Sequence, residues 1–394
     1  MEKERDVIVV GAGPSGATAA TILAQQGHDV LLLDRHEFPR DKVCGDGIPN
    51  GVIRIMNRLG MADKIQAAEA NGKFNPLTHV RLVSPRGHVV DAPLKDNNDG
   101  TKSYVAPRMV LDAVIQEQAV ESGVEFRRAK AQAPLFEDDK VVGLRAKMGS
   151  NGSSKTVDLR AKLVIGADGV TSAVARSLRS KETKHVDNHR AVALRAYIED
   201  IEEIPHTAEF YLYEEIHPGY AWIFSLGDDR ANIGLGMRLD QFRQTKRKLE
   251  DMLQDFLAMP EIKKRLKKGG KLHDIATWQL NFGSQKGLQF AFDGAMLIGD
   301  AAGFINPITG GGIHNGMVSA ELAAKTAHEA LTAGSTSLSQ LKIYQHRCQR
   351  ELSPNLRRSY QYQELLMHFP RIIDFLIKRG QENSQVAQIF LSKL

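Results

Sequence analysis

Apolar positions fall into two textures along this chain, and each predicts a different layer of structure. The opening "DVIVV" and "DVLLLD" are short continuous apolar runs, and "GAGPSGATAATILAQQG" between them turns from glycine-rich to alanine-rich. That order predicts a buried strand, a helix and a second buried strand. In "PRMVLDAVIQEQAVESG" (107–123) apolar residues recur at helical spacing, with Pro107 placed to open the helix and Gly123 to close it. "LVIGADG" (163–169) reads as another buried strand ending in a turn. From about 185 to 290 the texture changes to aromatic and β-branched alternation, in "AVALRAYIED", "AEFYLYEEI", "YAWIFSL" and "RANIGLGM", as expected of an antiparallel sheet. "GAMLIGDAAGFINPITGGGIHNGMVSAELAAKTAHEALTAG" then returns to the first texture: a strand, a glycine-rich turn and a long helix.

The predicted class is therefore α/β with a discontinuous first unit (1–72, 104–182 and 290–335). An antiparallel β unit (73–103 and 183–289) is inserted into it, and a helical segment (336–394) follows. "GSNGSSK" (149–155) reads as a hairpin tip and "DAPLKDNNDGTKS" (91–103) as a polar loop. The last helical segment is interrupted at Pro370, and its stripe of Phe369, Ile372, Ile373, Leu376 and Ile377 reads as a docking face against the body, with a membrane or partner contact as the alternative. No internal repeat is evident.

Composition narrows the setting. A chain of 394 residues is long enough for two or three domains. Its two cysteines, Cys44 and Cys348, are too few for a disulfide framework and lack partners at zinc spacing, so a reducing compartment and no metal are expected. The N-terminal apolar run is far short of a signal sequence, and no stretch approaches the ~18 apolar residues of a membrane span. The chain reads as cytoplasmic, or peripheral to a membrane. Basic residues cluster in "RQTKRKLE" (243–250) and "KKRLKKGGK" (263–271), read first as solvated faces of amphipathic helices and second as a contact with anionic lipid. Neither run carries interleaved aromatics, so no nucleic-acid partner is expected.

Chemistry enters with "GAGPSG". Gly11 permits the tight turn, Gly13 leaves room for a pyrophosphate, and Gly16 lets helix and strand approach closely. Pro14 and Ser15 open the helix, whose N-terminal amides attract phosphate. Asp34 closes the second strand, where an acidic side chain accepts from ribose hydroxyls, with Arg35 beside it. FAD and NAD both fit this pattern.

Further along stand "RMVLD" (Arg108, Leu111, Asp112), "GADG" with Asp168 and Gly169, and "GDAA" with Gly299 and Asp300. Four motifs in this order resemble the flavoprotein group that includes the aromatic hydroxylases. The resemblance implies FAD in a Rossmann-type domain, with Asp300 at the ribityl chain and Asp168 and Gly169 serving the flavin and nicotinamide nucleotides. In "PITGGGIHNGM", Pro307, Gly310, Gly311, Gly312 and Ile313 put backbone amides at a helix start, where a positive end would stabilise negative charge on a reduced flavin. His314 is a candidate proton source there, and a capping or core histidine is the plainer alternative.

A narrower resemblance rests on "PRDKVCGDGI" (39–48) and "HPGYAWIFSLGDDRANIGLG" (217–236). Together these look like the geranylgeranyl reductase family, with its C-G turn and P-x-Y-x-W-x-F-P box. Pro218, Tyr220, Trp222 and Phe224 match, while Ser225 stands where the family has proline. Strand alternation puts Tyr220, Trp222 and Phe224 on one face, and the residues alone leave core packing and a substrate wall both open. The resemblance implies an FAD-dependent reductase that hydrogenates isolated C=C bonds of a polyprenyl chain. NADPH, NADH or ferredoxin would be the electron donor. It also places Cys44 and Gly45 near the flavin, with Cys44 as proton donor or its support, and Tyr220 and Trp222 as π faces over the alkene. Read by itself, a lone cysteine such as Cys44 is more often a small buried hydrophobe. The competing activities are a monooxygenase or halogenase on the same scaffold, and a non-catalytic prenyl-binding carrier. A halogenase W-x-W-x-x-P stretch is missing its first tryptophan and its proline in "YAWIFS".

Overall fold

The computed structural model describes residues 3–94, 99–149, 154–180, 185–369 and 371–382. The strand Arg5–Val10 lies at the centre of the first sheet, parallel to Val30–Asp34 on one side and to Lys155–Gly166 on the other. Glu125–Glu137 extends the sheet beyond Val30–Asp34, and Ala295–Leu297 extends it beyond Lys155–Gly166, both in parallel. Helices cover the middle of this layer, so residues 7–10 and 30–33 and the strand Ala295–Leu297 are buried on both faces and show no alternation. The helix Pro14–Gln25 packs between Arg108–Glu121 and the long helix Ile313–Thr332. Lys155–Gly166 records the transition within one strand. Its first half alternates exposed and covered residues in an antiparallel meander with Lys140–Met148, and its last four residues are buried where it joins the parallel core.

The second sheet has seven strands in the order Leu266–Asn281, Arg190–Ile201, Arg230–Arg238, Tyr220–Gly227, Thr207–Tyr211, His79–Val83, Val89–Pro93. It is antiparallel except where Thr207–Tyr211 runs parallel to His79–Val83, a pairing that local alternation could not specify. One face is covered by the helix Leu249–Ala258, against which Ala221 and Ile223 pack. The other carries Trp222 and Phe224 in a cluster with Val105, Ala208, Phe210 and Tyr220. The period-two split of the aromatic strand is thus realised residue by residue.

Three local expectations change. The run "KKRLKKGGK" does not form a helix face: from Leu266 onward it begins the strand Leu266–Asn281, where Gly269 and Gly270 adopt φ of +86° and +66°. This strand forms an edge of the sheet, and lysines there discourage edge-to-edge pairing. The segment read as a polar loop contributes Asp91–Pro93 to the strand Val89–Pro93, because Val90 and Ala92 bury one face. In the last helices Ile373 and Ile377 are buried against Leu82, Val90 and Ala92, whereas Phe369 points to solvent. The expected hairpin tip lies mostly outside the described residues. No helix among the described residues is long and apolar enough to cross a membrane.

Candidate active site

The glycine turn after Arg5–Val10 is held by contacts that a side chain would forbid. A Cβ at Gly11, whose φ is +101°, would lie 2.4 Å from the Ala167 carbonyl oxygen, and one at Gly16 would lie 1.8 Å from the Gly11 oxygen. The first turn and the "GADG" turn therefore touch through bare backbone. At Gly13 the situation is opposite: a Cβ would meet nothing closer than Arg40 Nη2 at 3.4 Å, so this turn faces open space bordered by cations. Asp34 Oδ2 accepts from the Ala12 amide at 2.9 Å and Oδ1 from the His36 amide at 2.9 Å, while Arg35 stays at the surface against His36. Arg108 grips buried Asp112 through Nε (2.6 Å) and Nη2 (2.7 Å), and Arg40 adds a third bond at 2.6 Å. Burial pushes the Asp112 carboxyl up, but the charges of Arg108 and Arg40 outweigh it and hold it below its ordinary value.

Asp168 turns its carboxylate to the Ser172 hydroxyl and to the Ala173 amide (2.6 Å), capping the helix Ala173–Leu178, and burial raises its pKa. Gly169 beside it lines the main cavity. Asp300, in the short helix Gly299–Ala302, pairs with Lys42 Nζ at 3.1 Å.

These elements open onto a cavity of about 580 Å³ that runs between the two sheets. Its nucleotide side is lined by Gly13, Pro14, Ser15, Arg108 and Asp300, and its far side by Leu77, Val80, Leu94 and Phe210. Cys44, Tyr220, Trp222 and His314 all reach it, as do Gly45, Pro307, Gly310, Gly311, Gly312 and Ile313. The glycine turn differs from expectation in one respect. The Gly310 amide donates to the Asn306 oxygen (3.0 Å) and the Gly311 amide to Thr309 Oγ1 (3.1 Å), so these two donors are used within the turn, and the helix start at Gly312 and Ile313 is what remains to face a ligand among the described residues. The Tyr220 hydroxyl donates to the Thr309 oxygen and ties the aromatic strand to this turn.

The Cys44 loop lies against the same strand, and a Cβ on Gly45 would stand 3.2 Å from the Phe224 ring. Cys44 Sγ accepts the Asp46 amide at 3.3 Å. Burial pushes the thiol up against the opposing charge of Arg108, so it stays protonated at neutral pH. Desolvation has the other sign for an imidazole: it lowers His314, which stays neutral beside Gly51.

Behind Cys44 stands a polar network that sequence reasoning missed. Trp222 Nε1 donates to Asn232 Oδ1 (2.8 Å), and Asn232 Nδ2 donates to the Cys44 carbonyl (2.9 Å) and to Asp46 Oδ2 (2.8 Å). The Tyr197 hydroxyl reaches the same oxygen at 2.7 Å, while Asp46 Oδ1 is buried without a partner among the described residues. Burial lifts Asp46 to about 6. The available signals were an acid between the two glycines of "CGDG" and an asparagine inside a strand, where asparagine is depleted. Ser225 is explained here as well. Its hydroxyl donates to Glu203 and its carbonyl accepts from Asn75 Nδ2 (2.8 Å), so the strand continues to a bulge before Gly227.

The open ground before Gly13, the two arginines bordering it and the acceptor at Asp34 fit a dinucleotide carrying a pyrophosphate and a ribose. Comparison with known proteins agrees. The FAD binding domain family matches residues 4–359. A digeranylgeranylglycerophospholipid reductase of Methanosarcina acetivorans is 32% identical over 356 residues, covering 88% of this chain and 81% of that protein. A geranylgeranyl bacteriochlorophyll reductase-like protein of Thermoplasma acidophilum superposes with a TM-score of 0.82 at 25% identity, covering 100% of both chains. The myxobacterial chondrochloren halogenase superposes with a TM-score of 0.75 at 22% identity, over 89% of this chain and 80% of its own, a likeness of fold alone.

Proposed function

This chain belongs to the FAD binding domain family and, within it, to the digeranylgeranylglycerophospholipid reductases, and from that premise we propose that it hydrogenates isolated C=C bonds in the polyprenyl chains of a lipid. The observation that carries the reading is the placement of a protonated thiol and an aromatic strand around an apolar cavity whose other wall is the nucleotide cradle.

Bound and reduced, FAD supplies hydride to carbon. The amides of Gly13, Ser15 and Gly16 would hold its pyrophosphate, Asp34 its ribose and Asp300 its ribityl chain, and the helix start at Gly312 and Ile313 would offer positive potential to its ring. An unpolarised alkene does not accept hydride unless a proton reaches the other carbon. Cys44 holds that proton at Sγ, and its loss leaves a thiolate that Arg108 stabilises until solvent returns a proton. Each turnover thus adds one hydride and one proton across a double bond, giving a saturated C–C unit. Tyr220 and Trp222 present π faces to the positive charge developing on the more substituted carbon. Leu77, Val80, Leu94 and Phe210 take the rest of the chain and exclude water.

The electron donor in this proposal is reduced nicotinamide, NADPH or NADH, or a ferredoxin. Two free cysteines are in keeping with a cytoplasmic setting, and a lipid substrate puts the work at a membrane surface. The division into a cofactor unit (1–72, 104–182, 290–335), a substrate unit (73–103, 183–289) and a helical segment (336–394) is part of the same proposal.

The test is the product mass after incubating the reduced, FAD-loaded protein with a geranylgeranyl lipid, with and without oxygen. Gain of hydrogen pairs under strict anaerobiosis is expected. An added oxygen atom, formed only when oxygen is present, would transfer the protein to the monooxygenases.

A further inference from the structure

The last two helices carry an apolar surface that the described chain leaves uncovered. Tyr362, Leu365 and Phe369 follow one another at i, i+3 and i+7 along the outer side of Ser353–His368 and its end, 39%, 45% and 56% exposed. Phe375, 57% exposed, continues the surface on Arg371–Glu382. Four large apolar side chains exposed within fourteen positions differ from the singly scattered ones elsewhere on the molecule.

The charges around them are unbalanced in a definite direction. Every carboxylate of the two helices is already paired: Glu364 with Arg238, Asp374 with Arg86 and Glu382 with Arg379. Arg357, Arg358, Arg371 and Lys378 are exposed and have no partner among the described residues. The surface therefore combines aromatic side chains with uncompensated positive charge, as an anionic bilayer surface requires.

The inner side of Ser353–His368 reaches the cavity, and that of Arg371–Glu382 packs against residues that line it. Gln363, next to Tyr362, lines the cavity and donates to the Pro307 oxygen at 2.7 Å. The carbonyl of Leu366, next to Leu365, accepts from His217 Nε2 at 3.0 Å. Ile373 and Ile377 pack in one cluster with Val80 and Phe210, which themselves line the cavity. At Tyr362 and Gln363 adjacent residues of one helix thus face solvent and the apolar chamber.

We infer that the face formed by Tyr362, Leu365, Phe369 and Phe375 rests on an anionic lipid membrane, with Arg357, Arg358, Arg371 and Lys378 on its headgroups. The proximity of cavity and bilayer then lets a polyprenyl chain pass between them with little exposure to water. This inference rests on the reading of the cavity as a polyprenyl site only for its purpose, because membrane binding is measured without turnover.

The test is co-sedimentation of the FAD-loaded full chain with phosphatidylglycerol vesicles and with phosphatidylcholine vesicles. The parent binds the anionic vesicles, and binding weakens with salt. The double variant Phe369→Ser, Phe375→Ser binds about tenfold more weakly or worse, since two aromatic side chains no longer enter the interface. Arg357→Gln with Arg358→Gln weakens binding several-fold and flattens the salt dependence. Both variants keep the parent's melting temperature and its turnover of a detergent-dispersed short prenyl substrate. Absence of parental binding, or equal binding by all three proteins, overturns the inference. So does binding that survives both pairs of substitutions and disappears with residues 383–394, which assigns the contact to that segment. A concentration-dependent dimer abolished by the Phe pair, without vesicle binding, makes the face a self-interface instead. Vesicle binding as expected with no turnover of any prenyl lipid leaves the membrane face standing and removes the assigned chemistry.

Discussion

Asp46→Asn isolates the energetic consequence of keeping a carboxyl behind the Cys44 loop. Burial raises Asp46 from 3.8 to about 6, against the hydrogen bonds of Tyr197 and Asn232 and the charges of Arg195 and Arg108, which favour the carboxylate. At about 1.4 kcal/mol for each pH unit, the whole displacement is worth about 3 kcal/mol. The folded chain binds this proton more tightly than the unfolded chain. Its stabilisation is therefore complete below 3.8 and fades as pH rises through about 6. On going from about pH 7.5 to about pH 5 the parent regains about 1.4 kcal/mol. In the variant the amide oxygen still accepts from Tyr197 and Asn232, and its nitrogen replaces Oδ1, which has no partner among the described residues. That buried donor adds an offset of about 1–3 kcal/mol that does not depend on pH. The assay is urea unfolding of both proteins at the two pH values, read by tryptophan fluorescence. Other titrating groups, including the buried histidines, are common to both proteins and cancel in the difference. The gap should shift by about 1.4 kcal/mol in the parent's favour at the lower pH. Parallel pH dependence in the two proteins would refute the assignment of a proton to Asp46.

Two glycine substitutions separate cofactor binding from folding. Gly16→Ala drives a Cβ into the Gly11 carbonyl at 1.8 Å, so soluble protein and flavin are both expected to be lost. Gly13→Val enters open space and should keep the parent's circular dichroism while losing the yellow FAD spectrum; full flavin occupancy would show the turn to be misread. Asn232→Ala removes the acceptor of Trp222 and the donor shared by Cys44 and Asp46. A loss of about 2–4 kcal/mol is expected, with a shifted Trp222 emission, and unchanged urea midpoints would show that the network does not hold the site together.

The parts of this fold legible from the chain were those decided locally. "DVIVV", the glycine turn and "DVLLLD" announce strand, helix and strand because burial on both faces removes alternation and the turn permits few residue types. The aromatic strand was legible in part: a period of two put Tyr220, Trp222 and Phe224 on one face, while the choice between core and cavity wall needed the opposing loops. What stayed hidden was decided by distant partners. The parallel pairing of Thr207–Tyr211 with His79–Val83 joins segments more than a hundred residues apart. Asp46 gains its character from Tyr197 and Asn232, which reach it from two strands of the other sheet. In the glycine turn, the internal use of the Gly310 and Gly311 amides depends on Asn306 and Thr309 folding back, which the spacing of glycines does not reveal.

The central claim is that the Cys44 thiol and the cofactor cradle act together on a double bond in this cavity. An anaerobic single turnover tests it most directly: reduced, FAD-loaded protein is mixed with a geranylgeranyl lipid, flavin absorbance is followed in time, and product mass is read at each point. The account predicts that the oxidised spectrum returns without oxygen, in step with the gain of one hydrogen pair per flavin. Cys44→Ala should keep its flavin and proceed about a hundredfold more slowly or worse. Reoxidation of the parent only after oxygen is admitted, with the lipid's double bonds intact, would contradict it.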